Sequence, residues 1–317
     1  MNPGDNGMVL RKESVVSGDA TEILEDSYGR RVTNLRISLT PRCNLNCMYC
    51  HAEGEVAPKS LMPAEDIGEV LRMAKRFGMR SVKLTGGEPL MREDLVDIVA
   101  MVPKGMEVSM TTNGTMLEDV AQDLKDAGLS RVNISLDSLR PERYKEIAGK
   151  DMLSDVLAGI DAAIAAGLTP VKLNVVLMQG VNDDEIPDFI QFVANHPNGQ
   201  HLILQFIELM DEFRECSYHL DLTALEEELQ RTAQTVITRR MHHRKKYCLE
   251  GAEIEIVRPL HNTEFCAHCN RLRVTSDGGL KPCLMRHDNH VDILGLRGKE
   301  LEGAFRAAVE AREPYYR

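Results

Sequence analysis

Short apolar runs rich in β-branched residues alternate with longer stretches of helical period over most of the chain. Strands are predicted at 35–39, 81–85, 107–111, 131–136, 171–177 and 202–207. Each is brief and largely apolar, the signature of a strand buried on both faces of a parallel sheet. The stretches between them read as helices. The spacing predicts one over 63–77, with Pro63 in its first turn and Gly78 just past its end, and others over 117–127 and 153–166, followed by Gly128 and Gly167. Strand and helix repeat six times in series, which calls for a parallel sheet wound with right-handed crossovers, either a doubly wound layer or an open barrel. Beyond 208 the pattern loosens into a helix at 222–231 and strands at 236–240 and 253–257, with no fixed repeat or low-complexity linker. The expected organisation is an extension at 1–27, an α/β barrel at 28–210 and a C-terminal region at 211–317 packed against the sheet.

Composition narrows the function classes. In 317 residues there are 49 acidic and 38 basic side chains, a net charge of −11, and 43% of the chain is apolar. That apolar share builds a large core and excludes global disorder. The acidic balance opposes nonspecific attraction to nucleic acid or anionic lipid, so an anionic ligand needs a local cluster of cations. The first 17 residues lack the apolar region of a signal peptide, and no stretch approaches the roughly 18 uncharged residues that span a bilayer. A cytoplasmic protein without nucleic-acid or membrane partners is expected. The most basic run, 239–246, reads as a solvated strand face or a lid over phosphate, because only Tyr247 at its end could stack on a base.

Eight cysteines in such a chain point to metal or catalytic sulfur before disulfides. Six fall into two sets, Cys43, Cys47 and Cys50, and Cys266, Cys269 and Cys283, while Cys216 and Cys248 read as free thiols. Three soft thiolates suit iron–sulfur or zinc, and three protein ligands leave one metal position open. A zinc knuckle completed by His51 is the plain alternative for the first set. The second set could likewise be a structural zinc site completed by His261, His268 or His287. After the second strand comes Leu84-Thr85-Gly86-Gly87-Glu88-Pro89, where glycines let the backbone approach a ligand closely. Polar residues recur beyond the carboxyl ends of other strands: the first cysteine loop, then Thr111 to Gly114, then Ser135 and Asp137, then Glu208 and Met210. Five strands with polar residues at one end make a lined mouth and favour the barrel.

Cys43, Cys47 and Cys50, with Tyr49 before the last, together with Gly86-Gly87-Glu88-Pro89, resemble the radical S-adenosylmethionine superfamily. The resemblance implies a partial (β/α)6 TIM-like barrel. It implies a 4Fe-4S cluster on the three cysteines, S-adenosylmethionine on its open iron, and release of a 5′-deoxyadenosyl radical. Cys266, Cys269, Arg271, Arg273 and Cys283, across nearly the whole length of the chain, resemble the GTP 3′,8-cyclase branch, which begins molybdenum cofactor biosynthesis. That branch implies a second 4Fe-4S cluster in the C-terminal extension, binding the guanine of GTP. Carried over residue by residue, Arg36, Lys83, Thr111, Lys172, Arg271, Leu272 and Arg273 contact GTP, with Arg36, Arg271 and Arg273 in catalytic roles. Tyr49, Gly87, Ser135 and Met210 line the S-adenosylmethionine site. The implied reaction removes the C3′ hydrogen, joins C3′ to C8 and reduces the product to (8S)-3′,8-cyclo-7,8-dihydroguanosine 5′-triphosphate. Implied partners are an electron donor and a downstream cyclic pyranopterin monophosphate synthase, and a homodimer is left open.

The charge arithmetic supports this: a triphosphate of about four negative charges meets Arg36, Lys83, Lys172, Arg271 and Arg273. Lys83 and Lys172 sit inside predicted buried strands, where a ligand anion would supply the partner each needs. The alternatives are a radical maturase of peptides with an auxiliary cluster, and a zinc-stapled binding module without chemistry. Bacterial members of the branch end in two glycines, whereas this chain reads Glu313-Pro-Tyr-Tyr-Arg317, so Tyr315 and Tyr316 are expected to close the site.

Overall fold

The computed structural model describes residues 22–51, 55, 60–210, 218–239, 244–258 and 263–314. Tyr315, Tyr316, Cys216 and His261 lie outside them. Six parallel strands come in chain order: β1 Asn34–Ser38, β2 Ser81–Thr85, β3 Glu107–Thr112, β4 Arg131–Ser135, β5 Val171–Leu177 and β6 Leu202–Glu208. They differ from the predicted strands by one residue at most at either end. Between them run α1 Ala64–Arg76, α2 Leu95–Ala100, α3 Ala121–Asp126, α4 Pro141–Ala148, α5 Leu153–Ala165 and α6 Ile186–Asn195.

Local chemistry explains the helices. α1 buries Ile67, Val70, Leu71 and Ala74 on one face, carries Glu65 and Asp66 in its first turn and Lys75 and Arg76 in its last, and so complements its own dipole. Pro63 stands at its N-cap, one position before the expected first turn. α3 starts later than the pattern suggests. Leu117 is buried, but it closes a turn on the Gly114 carbonyl before the helix proper begins.

The strand order is strictly sequential from β1 to β6. A doubly wound sheet reverses direction at a switch point, and this one does not, so the winding is that of a barrel. The C-terminal region does more than pack against the sheet. After α7 Thr223–Thr232 come β7 Thr235–Thr238, β8 Lys245–Leu249 and β9 Ala252–Val257, and β9 pairs parallel with β6. After α8 Thr263–Ala267, β10 Arg271–Val274 pairs parallel with β1, followed by β11 Gly279–Lys281, β12 Val291–Asp292 and α9 Gly298–Glu310. The twelve strands form one sheet with the C-terminal strands at both ends. The barrel therefore stays open, and the late cysteines arrive beside β1. Among the described residues, no helix is long and apolar enough to cross a membrane.

Candidate active site

Alternation along each strand divides its side chains. Leu35 and Ile37 of β1 and Leu272 and Val274 of β10 are buried in the core, while Asn34, Arg36, Arg271 and Arg273 face the other way. Register then aligns these inward residues across neighbours: Arg273 lies opposite Arg36, Arg36 opposite Lys83, and Lys83 opposite Ser109. A second row runs from Thr111 to Asn133 to Lys172. The two rows wall one cavity of about 900 Å³, reached by residues of all six barrel strands and of β10. Only a sheet curled on itself brings them to one space. Eight arginine and lysine side chains and two carboxylates line it among the described residues. This surplus of positive charge sits inside a protein of net −11.

The cations are close enough to feel one another. Lys83 donates to Asn133 Oδ1 at 2.8 Å, and its pKa is held well below that of a free lysine by burial first, then by Arg36, Arg131, Arg271 and Lys172. Burial likewise lowers Arg271, with Arg36 and Arg273 adding repulsion. Lys172 departs from expectation. Its partner is already present, because Nζ lies 2.6 Å from Oε2 of the fully buried Glu255. Gln205 donates to the same oxygen at 2.8 Å, while Arg239 and Arg244 stand 3.1 and 3.8 Å from the carboxylate. Burial lowers Lys172 to about 8, against the pull of Glu255. Burial works to raise Glu255, but the three cations prevail and hold it lower. Arg239 and Arg244, from the basic run read as a lid or solvated face, thus turn into the cavity.

The early cysteine loop follows β1. Tyr49 and His51 reach the cavity, whereas Cys43 and Cys50 are exposed and Cys47 half-buried beside them. The Cys47 thiol is pushed up by burial, by Asp137, and by Cys50 and Cys43, so the three sulfurs share one electrostatic neighbourhood. Gly86 and Gly87 serve this loop. A Cβ on Gly87 would meet Arg42 O at 2.3 Å and Pro41 O at 2.6 Å, and one on Gly86 would meet Thr40 O at 2.5 Å. The close approach expected toward a ligand is made to the chain's own cysteine loop, and Gly87 does not line the cavity. The backbones are stitched by Gly87 N to Thr40 O at 2.6 Å and Glu88 N to Arg42 O at 2.7 Å. Glu88, fully buried, accepts from Thr112 Oγ1 at 2.7 Å, Asn113 N at 2.6 Å and Leu90 N at 3.0 Å, and burial raises its pKa to about 7. Tyr49 donates to Asp137 Oδ2 at 2.6 Å, and Val176 N to Asp137 Oδ1 at 2.9 Å.

The late set lies across the same cavity. Cys266 ends in α8, Cys269 N donates back to Cys266 O at 3.1 Å, and Cys283 follows β11; all three line the space. Burial opposes ionisation of Cys269, but Arg312, the Arg271 N–H, Arg271 and Arg273 outweigh it and lower its pKa. His268 Nδ1, just past α8, is 3.0 Å from Glu264 O of that helix, and the His287 ring packs against His290. Among the described residues, no three of His, Cys, Asp and Glu close on a single metal ion. Both donor sets, soft and three-membered, fit an iron–sulfur cluster with one open iron. Ser135, Thr111 and Met210 line the cavity, whereas Leu272 is fully buried with its side chain in the core.

Residues 37–193 match the Radical SAM superfamily, and residues 202–317 match Molybdenum Cofactor Synthesis C. A "Probable GTP 3′,8-cyclase" of Methanosarcina mazei is 52% identical over 99% of this chain and 95% of its own. Proteins of the same name from Archaeoglobus fulgidus and Pyrococcus abyssi are each 47% identical over 93% of this chain and all of theirs. The chain belongs to the GTP 3′,8-cyclase family. Among solved structures, Streptococcus suis SuiB bound to precursor peptide SuiA superposes with a TM-score of 0.66 at 17% identity, covering 88% of this chain and 68% of that one. The anSMEcpe enzyme with bound AdoMet gives 0.56 at 18% identity, covering 84% and 80%. At such identity these two show the fold alone, the partial barrel of radical enzymes. For this cyclase family member, sequence reasoning missed Glu255, Asn133 and Gln205. Glu255 carried a signal, a carboxylate inside a predicted strand; the two amides carried none.

Proposed function

We propose that the chain converts GTP to (8S)-3′,8-cyclo-7,8-dihydroguanosine 5′-triphosphate, the first step of molybdenum cofactor biosynthesis. The observation that carries this is the single cavity: Tyr49 of the early loop, the row of cations and the three late cysteines all line it. Cys43, Cys47 and Cys50 would hold one 4Fe-4S cluster and Cys266, Cys269 and Cys283 another; with S-adenosylmethionine these supply a 5′-deoxyadenosyl radical and an open iron for the guanine.

The chain's own residues do the rest. Arg36, Lys83, Arg271 and Arg273 draw in the triphosphate, whose charge relieves their repulsion. Lys172 contributes through a cluster with Glu255 that keeps Arg239 and Arg244 facing the same space. Thr111 adds a polar contact on the GTP side, and Tyr49, fixed by Asp137, with Ser135 and Met210 shapes the S-adenosylmethionine side. Gly87 acts indirectly, by letting the cysteine loop seat. Burial excludes water, so that the C3′ hydrogen is removed and the C3′–C8 bond closes without attack on solvent. Arg271 or Arg273 then steadies the guanine nitrogen that gains a proton as the product is reduced. The electrons come from an external donor, and the product passes to cyclic pyranopterin monophosphate synthase.

The test is an anaerobic assay with GTP, S-adenosylmethionine and a chemical reductant. The expected result is GTP-dependent 5′-deoxyadenosine together with a cyclised nucleotide, on protein holding about eight iron and eight sulfide per chain. One or two zinc per chain, or 5′-deoxyadenosine formed equally without GTP, would overturn the proposal.

A further inference from the structure

Away from the cavity, one buried carboxylate joins two arginines from opposite stretches of the sequence. The Asp26 side chain is fully buried, with Arg30 Nε at 2.7 Å and Arg312 Nη1 at 3.0 Å from its Oδ2. Asp26 Oδ1 accepts from Tyr28 N and Arg30 N at 3.0 and 2.9 Å, which locks the loop that carries it. Three of the other guanidinium nitrogens reach main-chain carbonyls. Arg30 Nη1 reaches Cys266 O at 3.1 Å and Pro314 O at 3.0 Å, and Arg30 Nη2 reaches Glu313 O at 2.5 Å. Arg312 Nη2 reaches Cys269 O at 2.6 Å. Two of the three late cysteines therefore have their carbonyls held by different arginines that share a single carboxylate.

A buried trio of charges is a poor way to gain stability alone, since apolar packing of like volume does as well. It is a good way to fix direction, because each planar guanidinium sets several hydrogen bonds at defined angles. Holding a ligand's peptide plane restricts where its sulfur can sit, as outer partners of metal ligands do generally. We propose that Asp26, Arg30 and Arg312 form a clamp that positions the late cysteine loop toward the substrate cavity. Through Arg30, which holds Glu313, Pro314 and Cys266 together, the clamp links segment 313–314 to that loop. These are positioning residues, remote from the reacting atoms. The inference rests on the reading that Cys266, Cys269 and Cys283 bind a cluster that receives GTP.

The test isolates that cluster. In the full chain with Cys43, Cys47 and Cys50 replaced by serine, anaerobic reconstitution should load about four iron per chain, and GTP binding is measured by titration. Into this parent go Arg30→Lys and Arg312→Lys, each keeping a cation beside Asp26 but losing the fork to the carbonyls. The expected result is a fall in GTP affinity of tenfold or more and an altered electron paramagnetic resonance spectrum of the reduced cluster. S-adenosylmethionine affinity, read in the same variants with the early cysteines restored, should stay unchanged. A parent that takes up no iron overturns the reading of the late set, and the clamp with it. A loaded parent whose lysine variants bind GTP within twofold and give the same spectrum overturns the clamp alone. Should neither variant fold, hydrogen exchange on the unaltered, reconstituted chain decides: GTP must slow the amides around 266–271 and 311–314 together, and protection of only the first stretch refutes the link.

Discussion

Replacing Tyr49 by phenylalanine removes one oxygen and tests how the early cysteine loop is held. That oxygen donates to Asp137 Oδ2 at 2.6 Å, and Asp137 is 4% exposed. Burial raises Asp137 to about 6 from an ordinary value of 3.8, while Tyr49 and Val176 N pull it back down. A carboxyl whose folded pKa is raised binds its proton more tightly in the fold, so its contribution to stability is best below pH 4 and falls as pH climbs toward 6. The two-unit shift corresponds to about 3 kcal/mol, already discounted by the two donors. Without the hydroxyl the shift grows and the fall continues to higher pH. At pH 5, where Asp137 is largely neutral, the variant should lose about 1 kcal/mol, one neutral hydrogen bond. At pH 8.5 it should lose about 1.5–3 kcal/mol, because the lost bond was to a charged oxygen. The assay is thermal unfolding of the metal-free chain and its variant at both pH values. The gap in melting temperature should widen by about 1–3 °C at the higher pH. A gap that stays constant or narrows would refute the reasoning.

Three other substitutions probe separate parts of the site. Gly87→Ala drives a Cβ into the Arg42 and Pro41 carbonyls, which cannot rotate away; the variant should hold about half the iron of the parent on reconstitution, by colorimetric assay, with the late set still loaded. Lys172→Met strips the buried Glu255 of its nearest cation and should cost about 3 kcal/mol of stability in urea unfolding even without GTP, an effect absent if Lys172 served the substrate alone. Arg273→Ala should weaken GTP binding at least tenfold, about 1.4 kcal/mol, and lower turnover further; calorimetric titration together with unchanged S-adenosylmethionine affinity checks it.

The barrel strands were legible because a strand covered on both faces is apolar along its length, as 171–177 and 202–207 are. The two cysteine sets were legible for a different reason: each lies in one short stretch, so spacing alone shows that the thiols can meet. β10 was not. Arg271 and Arg273 read only as cations beside the cysteine motif, and it is their place beside β1 that shows a strand with two inward arginines. The partner of Lys172 was equally hidden, since Glu255 lies 83 residues away. A lysine in a buried strand announces that a partner exists without saying whether it is a ligand or another side chain. Gly87 shows the same gap, for its need of a bare Cα comes from a loop that folds back from the end of β1.

By itself, then, the sequence determined the winding of the sheet, the positions of six thiols and the chemical class of the site, because periodicity, spacing and side-chain softness are properties of neighbouring residues. The tertiary structure alone decided that Tyr49 of the early loop and the three late cysteines line one cavity, that Lys172 answers to Glu255, and that Asp26 links Arg30 to Arg312. These depend on register between strands and on contacts across as many as 286 positions, from Asp26 to Arg312. Nothing in a local pattern specifies such contacts; they are selected by the free energy of burying charge with its partner when the chain closes on itself.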